Sequence, residues 1–318
     1  MTEQHIPVLL DEVIEALALK SGARIIDGTL GLGGHSQAIL EMIAPDGRVL
    51  AFDRDARAIA LAHARLTAFT KRVAIIHASY AVMGERAPAL GFDAVDGILL
   101  DLGFSSLQID DPERGFAFQH DGPLDMRFDP SQGESAADWV NTRSLDELTR
   151  VLRDYGEERH ARRIAQAIIA ARPITRTQQL AELIKAAQPA PRRGAAPQRI
   201  HPATRSFQAL RIAVNDELGQ LAAALPQAVD LLKPGGRLAV ISFHSLEDRL
   251  VKRFIRENAL EYRYDPDRPD RSGDLSPSLI DLTRKPITAS ATEISANPRA
   301  RSAKLRVAAR RPMMEEGG

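Results

Sequence analysis

Ile25-Ile26-Asp27-Gly28-Thr29-Leu30-Gly31-Leu32-Gly33-Gly34-His35 is an apolar run that ends on a carboxylate and then breaks into glycines. The pattern reads as a strand, a tight turn and the first turn of a helix. Glycines let backbone come close to a bound ligand, and the next helix offers its exposed N–H groups there. The turn therefore suits a nucleotide-like cofactor, although similar turns also follow strands that bind nothing. A dinucleotide places its pyrophosphate on the helix N-terminus, whereas S-adenosylmethionine needs room for a sulfonium and an amino-acid end. Asp27 beside the glycines suits the cationic group better.

Working outward, Arg48 to Asp53 repeats the pattern of a strand ending on a carboxylate, and Arg72 to Ile76 and Ala94 to Asp101 read as a third and fourth strand. Helical sequence separates them: Ser36 to Ile43, then an alanine-rich run from Ala56 to Phe69. Ahead of the first strand, Val8 to Leu19 carries an apolar stripe at Leu9, Leu10, Val13, Ile14 and Leu17. Four strands alternating with helices predict an α/β fold whose parallel sheet is covered on both faces and binds ligands at the carboxyl ends of its strands. The turn Lys233-Pro234-Gly235-Gly236 leads into a fifth strand that ends at Phe243. The helix before that turn is expected over Phe207 to Leu232, with a break near Pro226.

More than 100 residues separate Asp101 from that helix, and an ordinary crossover needs only one helix and short loops. An inserted domain is expected. Its interior reads helical, with capping boxes at Ser144/Glu147 and Thr175/Gln178 and one apolar face made by Leu145, Leu148, Val151 and Leu152. The expected division is residues 1–108 with 212–318 around an all-helical insertion of residues 109–211.

Across 318 residues, 42 Lys and Arg balance 42 Asp and Glu, so charge is informative only locally. From Arg159 to Arg211 ten Arg and one Lys face a single acid, Glu182. From Arg284 to Arg311 six Arg with Lys285 and Lys304 face only Glu293. Such clusters suit a phosphate-rich partner, with Arg192, Arg193, Arg199 and Arg205 as candidate RNA contacts; solvated helix faces are the alternative. Cysteine is absent, which excludes disulfides, thiolate metal sites and the covalent thiolate used to methylate a pyrimidine C5. Neither a signal peptide nor a membrane-spanning run is evident, so a soluble cytoplasmic protein is expected.

Several residues at strand ends are positioned for chemistry. Asp53 lies 22 residues after Gly31, where a carboxylate can accept both ribose hydroxyls of either cofactor, or cap the following helix. Tyr80 offers a flat face for adenine, or packs in the core. His35 can contact a cofactor carboxylate, or only finish the turn. In Asp101-Leu102-Gly103-Phe104, Asp101 and Phe104 match the acceptor and the aromatic wall used for methyl transfer to an exocyclic base amine. Leu102 and Gly103 depart from the prolines of that pattern. His244 can take a proton or contact a base, or belong to a helix start capped by Ser245 and Asp248. Asp125 and Arg127 can meet substrate or form an ion pair between domains.

Together these stretches resemble the MraW family of 16S rRNA cytidine N4-methyltransferases nearly end to end. The resemblance is carried by His5-Ile6-Pro7-Val8-Leu9-Leu10, the Gly31 to His35 turn, Asp101-Leu102-Gly103 with Ser105-Ser106, and Leu124-Asp125-Met126-Arg127. It continues through His201-Pro202-Ala203-Thr204-Arg205, Phe207 to Asn215, Ser242 to Arg249, and Asn297 to Arg306. It implies a Rossmann-like class I methyltransferase sheet with an inserted helical domain that helps hold RNA. It also implies S-adenosyl-L-methionine as methyl donor, contacted by Gly33, Gly34, His35, Asp53, Tyr80, Asp101 and Gln108. The implied acceptor is the N4 amine of a decoding-region cytidine in 16S rRNA, within the small ribosomal subunit, with Asp101 and His244 as catalytic candidates. No metal is expected, and a homodimer is compatible with the sequence.

Overall fold

Short apolar runs bounded by turn residues become the strands of one sheet. The computed structural model describes residues 6–189, 201–263 and 273–312. Its strands are β1 (Arg24–Asp27), β2 (Arg48–Asp53), β3 (Val73–His77), β4 (Val95–Asp101), β5 (Leu232–Ser242), β6 (Tyr262–Arg263), β7 (Gly273–Asp274), β8 (Leu279–Asp281) and β9 (Lys304–Arg310). Seven of them form a sheet in the order β3-β2-β1-β4-β5-β9-β8, and β6 pairs with β7. β1 to β5 run parallel, while β9 is antiparallel to both β5 and β8. Chain order reverses between β1 and β4, the position at which an open α/β sheet presents a crevice at its carboxyl edge.

The helices are α1 (Leu10–Leu17), α2 (Gly34–Met42), α3 (Ala56–Arg65), α4 (Met83–Arg86), α5 (Ser106–Asp110), α6 (Ala136–Thr142), α7 (Leu145–Asp154), α8 (Ala161–Ala170), α9 (Thr177–Ala187), α10 (Thr204–Asn215), α11 (Glu217–Leu231), α12 (Ser245–Ala259) and α13 (Ala291–Ala296). The chain separates into two compact units, Met1–Gly103 with Leu218–Gly318, and Phe104–Glu217. No helix among the described residues is long and apolar enough to cross a membrane.

In the sheet unit, side chains alternate between two apolar clusters. Ile26, Leu50, Phe52, Ile98 and Leu100 belong to one, and Ile25, Val49, Ala51 and Leu99 to the other. Successive strand residues point to opposite faces, so both faces are dry and each strand reads as an unbroken apolar run. The helical unit has one core, in which Leu148, Val151 and Leu152 of α7 meet Ile164 and Ile168 of α8 and Leu180 and Ile184 of α9. α7 opens on the expected Ser144/Glu147 capping box.

Three local expectations are corrected. The start of α9 is served by Asp121 instead of Thr175: the Asp121 carboxylate accepts the Gln178 N–H at 3.2 Å and pairs with Arg176 at 2.5 Å. The break before β5 falls at Asp216, with φ 50°, while Pro226 lies inside α11. There the Asn215 amide donates to the Arg211 carbonyl at 3.0 Å and to the Met126 carbonyl at 2.7 Å, supplying donors where the helix ladder stops. The basic C-terminal stretch is only partly a cationic face: Arg284, Lys285, Arg299 and Arg301 are exposed, whereas Lys304 to Arg310 alternates into β9. Arg306 is 5% exposed and donates to Asp248 at 2.7 Å, Lys304 reaches the same carboxylate at 3.4 Å, and Arg310 donates to the Val229 carbonyl at 2.7 Å. Arg311 pairs with Glu261 at 2.5 Å.

The Arg306–Asp248 pair ties β9 to α12 in a nearly dry setting, where removing one partner strands the other. Arg306→Ala is expected to lower stability by about 3 kcal/mol in urea unfolding. A loss below about 1 kcal/mol would place the pair with weak surface bridges.

Candidate active site

Three adjacent strands of the sheet unit, β2, β1 and β4, end on Asp53, Asp27 and Asp101. Asp27 is fully buried; it accepts the Ser36 hydroxyl at 2.6 Å and the Thr29 N–H at 3.1 Å. Burial pushes its pKa up, and those two donors pull it back. Asp53 uses both oxygens on backbone: Oδ2 accepts the Gly31 N–H at 2.7 Å and Oδ1 the Asp55 N–H at 2.8 Å. Burial nevertheless raises its pKa to about 6. The cap of α3 is Asp55, which accepts the Arg57 N–H at 3.0 Å, so Asp53 is not the N-cap.

The glycine turn joins β1 to α2. Gly33 is the N-cap of α2 with φ +77°, a conformation L side chains rarely adopt, and it offers no side chain to the first-turn N–H groups. Gly34 is required by a close approach: a Cβ there would fall 2.5 Å from Cγ of Pro7. His35 follows, buried, with Nε2 3.0 Å from the Val8 carbonyl. A carbonyl only accepts, so Nε2 carries the proton and Nδ1 is the bare nitrogen. Burial holds the His35 pKa down at about 4 and keeps the ring neutral.

That bare Nδ1 lies 3.6 Å from Asp101 Oδ2. Asp101 has its own N–H fixed by Thr29 Oγ1 at 2.6 Å, but its Oδ1 is buried with no hydrogen-bond partner. Burial first, then repulsion from Asp27 and Glu247, drives its pKa well above the ordinary carboxylate value. The donor set therefore fits a ligand that brings positive charge and N–H or O–H donors. It does not fit a pyrophosphate, whose charge would add to that of the carboxylates.

Tyr80 opens a short turn after β3 and packs against the core near the glycine turn; a Cβ on Gly28 would lie 3.0 Å from the Tyr80 Cβ. His244 is the N-cap of α12, its Nδ1 accepting the Glu247 N–H at 3.4 Å and its Nε2 lying 3.2 Å from Glu247 Oε1. The cap partners are thus His244 and Glu247; Asp248 is drawn away to Arg306. Glu247 is buried and accepts the Phe243 and His244 N–H groups at 2.9 and 3.2 Å. Sequence reading passed over Glu247, Thr29 and Ser36. The signal for Glu247 was its place three residues after the cap, while nothing local marks the other two.

In the helical unit, Gln108 of α5 is buried and accepts the Ser105 N–H at 2.9 Å. Phe104 is 38% exposed, lies 6.2 Å from Phe116, and carries Arg211 over its ring at 4.7 Å. Arg211 makes a two-pronged, buried pair with Glu217 at 2.7 and 2.9 Å, which removes it from the cations open to a phosphate. Asp125 and Arg127 pair with each other at 2.6 Å. Arg205 is exposed and donates to the Glu157 carbonyl at 3.4 Å. Arg192, Arg193 and Arg199 lie outside the described residues.

The MraW methylase family model matches residues 2–311. A curated ribosomal RNA small subunit methyltransferase H from Geobacter sp. is 52% identical over 306 residues, covering 95% of this chain and 97% of the relative. Its namesake from Thermomicrobium roseum is 52% identical over 313 residues, covering 98% and 94%. That from Aromatoleum aromaticum is 49% identical over 314 residues, covering 96% and 97%.

Asp101 makes a stability test of the site. Its folded pKa is raised, so ionising it costs the folded state stability as pH climbs above the unfolded value, and that cost is absent at low pH. Asp101→Asn is expected to melt higher than the parent, with the gap widening as pH rises above the unfolded carboxylate value of about 4. A gap independent of pH would mean that Asp101 titrates normally.

Proposed function

This chain belongs to the MraW methylase family, and from that membership we propose that it transfers a methyl group from S-adenosyl-L-methionine to the N4 amine of a decoding-region cytidine in 16S rRNA. The names carried by relatives near half identity over almost the whole chain support ribosomal RNA of the small subunit as the substrate class. The observation that carries the chemistry is Asp101: a carboxylate at the end of β4 with one buried oxygen unpartnered and a raised pKa.

S-adenosyl-L-methionine, when bound, supplies an electrophilic methyl carbon on a cationic sulfur. The residues that would hold it are those of the glycine turn and strand ends: the backbone of Gly33, whose own N–H is bonded to the Leu30 carbonyl at 2.8 Å, the N–H groups of Gly34 and His35, the Asp53 carboxylate for ribose hydroxyls, and the Tyr80 ring for adenine. Asp27 and Asp101 supply negative charge that favours a cationic group. Burial and the neighbouring carboxylates make Asp101, once ionised, a stronger base than an ordinary carboxylate, and its Oδ1 accepts the proton that the cytosine amine loses as nitrogen bonds to the methyl carbon and the carbon–sulfur bond breaks. His35 stays neutral and uncompetitive for this proton. His244 contributes through the α12 cap, fixing the segment after β5, and leaves proton transfer to Asp101. Phe104 is the aromatic wall for the base. Arg192, Arg193, Arg199 and Arg205 contribute RNA backbone affinity. The reaction belongs in the cytoplasm, where the subunit rRNA is found.

Nucleoside mass mapping of small-subunit rRNA incubated with the protein and S-adenosyl-L-methionine should find N4-methylcytidine. Asp101→Ala should retain fold and lose about 10²–10⁴-fold in turnover. Methyl groups on another nucleoside would refute the acceptor, and near-normal turnover by the folded variant would remove Asp101 from the mechanism.

A further inference from the structure

α12 is charged along its length, yet its acids and bases are used differently. Glu247 is turned inward onto the Phe243 and His244 N–H groups, and Asp248 is held by Arg306 and Lys304. Val251 and Ile255 are buried on the same side. Projected down the axis at about 100° per residue, Lys252, Arg253 and Arg256, with Arg249, fall in a stripe roughly 100° wide centred opposite Glu247, Val251 and Ile255. Arg253 and Arg256 are exposed and Lys252 half-buried. Among the described residues, none of these three meets a carboxylate within ion-pair distance. Glu257, the acid left outward, stands at the edge of the stripe.

A helix whose acids are all but consumed internally presents a positive face in which Lys252, Arg253 and Arg256 have no carboxylate partner among the described residues. We propose that the Lys252/Arg253/Arg256 face of α12 is a second RNA-contact surface, carried by the sheet unit itself and engaging phosphodiester backbone. The proposal rests on the RNA substrate proposed above. Backbone phosphates spaced along a strand complement cations spaced along a helix, and such contacts add affinity without reading sequence.

The test measures binding of a 16S rRNA fragment containing the decoding region across a salt series. Lys252→Gln/Arg253→Gln/Arg256→Gln should bind on the order of tenfold more weakly, and its log–log salt slope should be shallower by about 2. Arg253→Lys/Arg256→Lys should retain binding, and a control of equal charge change, Lys20→Gln/Lys71→Gln/Arg86→Gln, should match the parent. As a readout that needs no variant, bound RNA should protect Lys252 of the parent from amine acetylation. Unchanged affinity and slope in the helix variant, an equal loss in the control, or unprotected Lys252 overturns the proposal. If the parent methylates rRNA while the helix variant binds normally, only this surface is refuted. If the parent neither binds nor methylates rRNA, the substrate reading falls with it.

Discussion

Asp27 is a carboxylate placed where no water reaches, and it is tolerated because one hydroxyl and one backbone N–H are aimed at it. Ser36 reaches it from the first turn of α2, and Thr29 from the turn itself. That requirement sets the path of the glycine turn, since the chain must leave β1, pass its own amide over the carboxylate and begin a helix within a few residues. Gly31 then donates to Asp53, so the second strand's carboxylate fixes the turn from the other side. Thr29 does a further task by accepting the Asp101 N–H, which locks β4 to the same turn. One eleven-residue stretch is thereby bonded to the ends of three strands.

What this arrangement leaves over is negative charge. Burial penalises an anion, and a like charge nearby adds to the penalty. Asp27 and Asp53 are partly compensated by donors, whereas Asp101 faces a histidine lone pair on one oxygen and nothing on the other. A site built so is unfavourable alone and favourable around a cation, which is how ligand affinity is stored in a fold. The same economy of charge recurs on α12 and β9, where Arg306 and Lys304 draw Asp248 inward and the remaining cations face out.

The helical unit shows a parallel division of labour. Arg211 belongs by composition to a basic run, but Glu217 and the Phe104 ring claim its guanidinium. Asp121 and Arg176, far apart in sequence, together stabilise the start of α9. Net charge over a segment is therefore a weak guide to which cations a partner meets, because a long side chain takes whatever acceptor tertiary packing brings within reach.

Much of the fold is legible in the chain because local rules govern it. Unbroken apolar runs such as Val49 to Phe52 mark strands buried on both faces, carboxylates at their ends mark the edge of the sheet, and Ser144 with Glu147 marks a helix start. The family motif extended that reading to the cofactor class and to the residues around the turn. Other features could not be read, because they depend on contacts between residues distant in sequence. β9 returns antiparallel beside β5 from a stretch that reads as a basic tail, and its Arg306 becomes structural only because Asp248 lies beside it. The orphaned Asp101 oxygen, the tautomer of His35 and the outward stripe of α12 likewise exist only once packing decides which groups meet. Sequence by itself determined the elements and the chemistry available at the strand ends; tertiary structure decided which charges are spent inside and which are left to bind, since burial and pairing are properties of neighbours that no local pattern encodes.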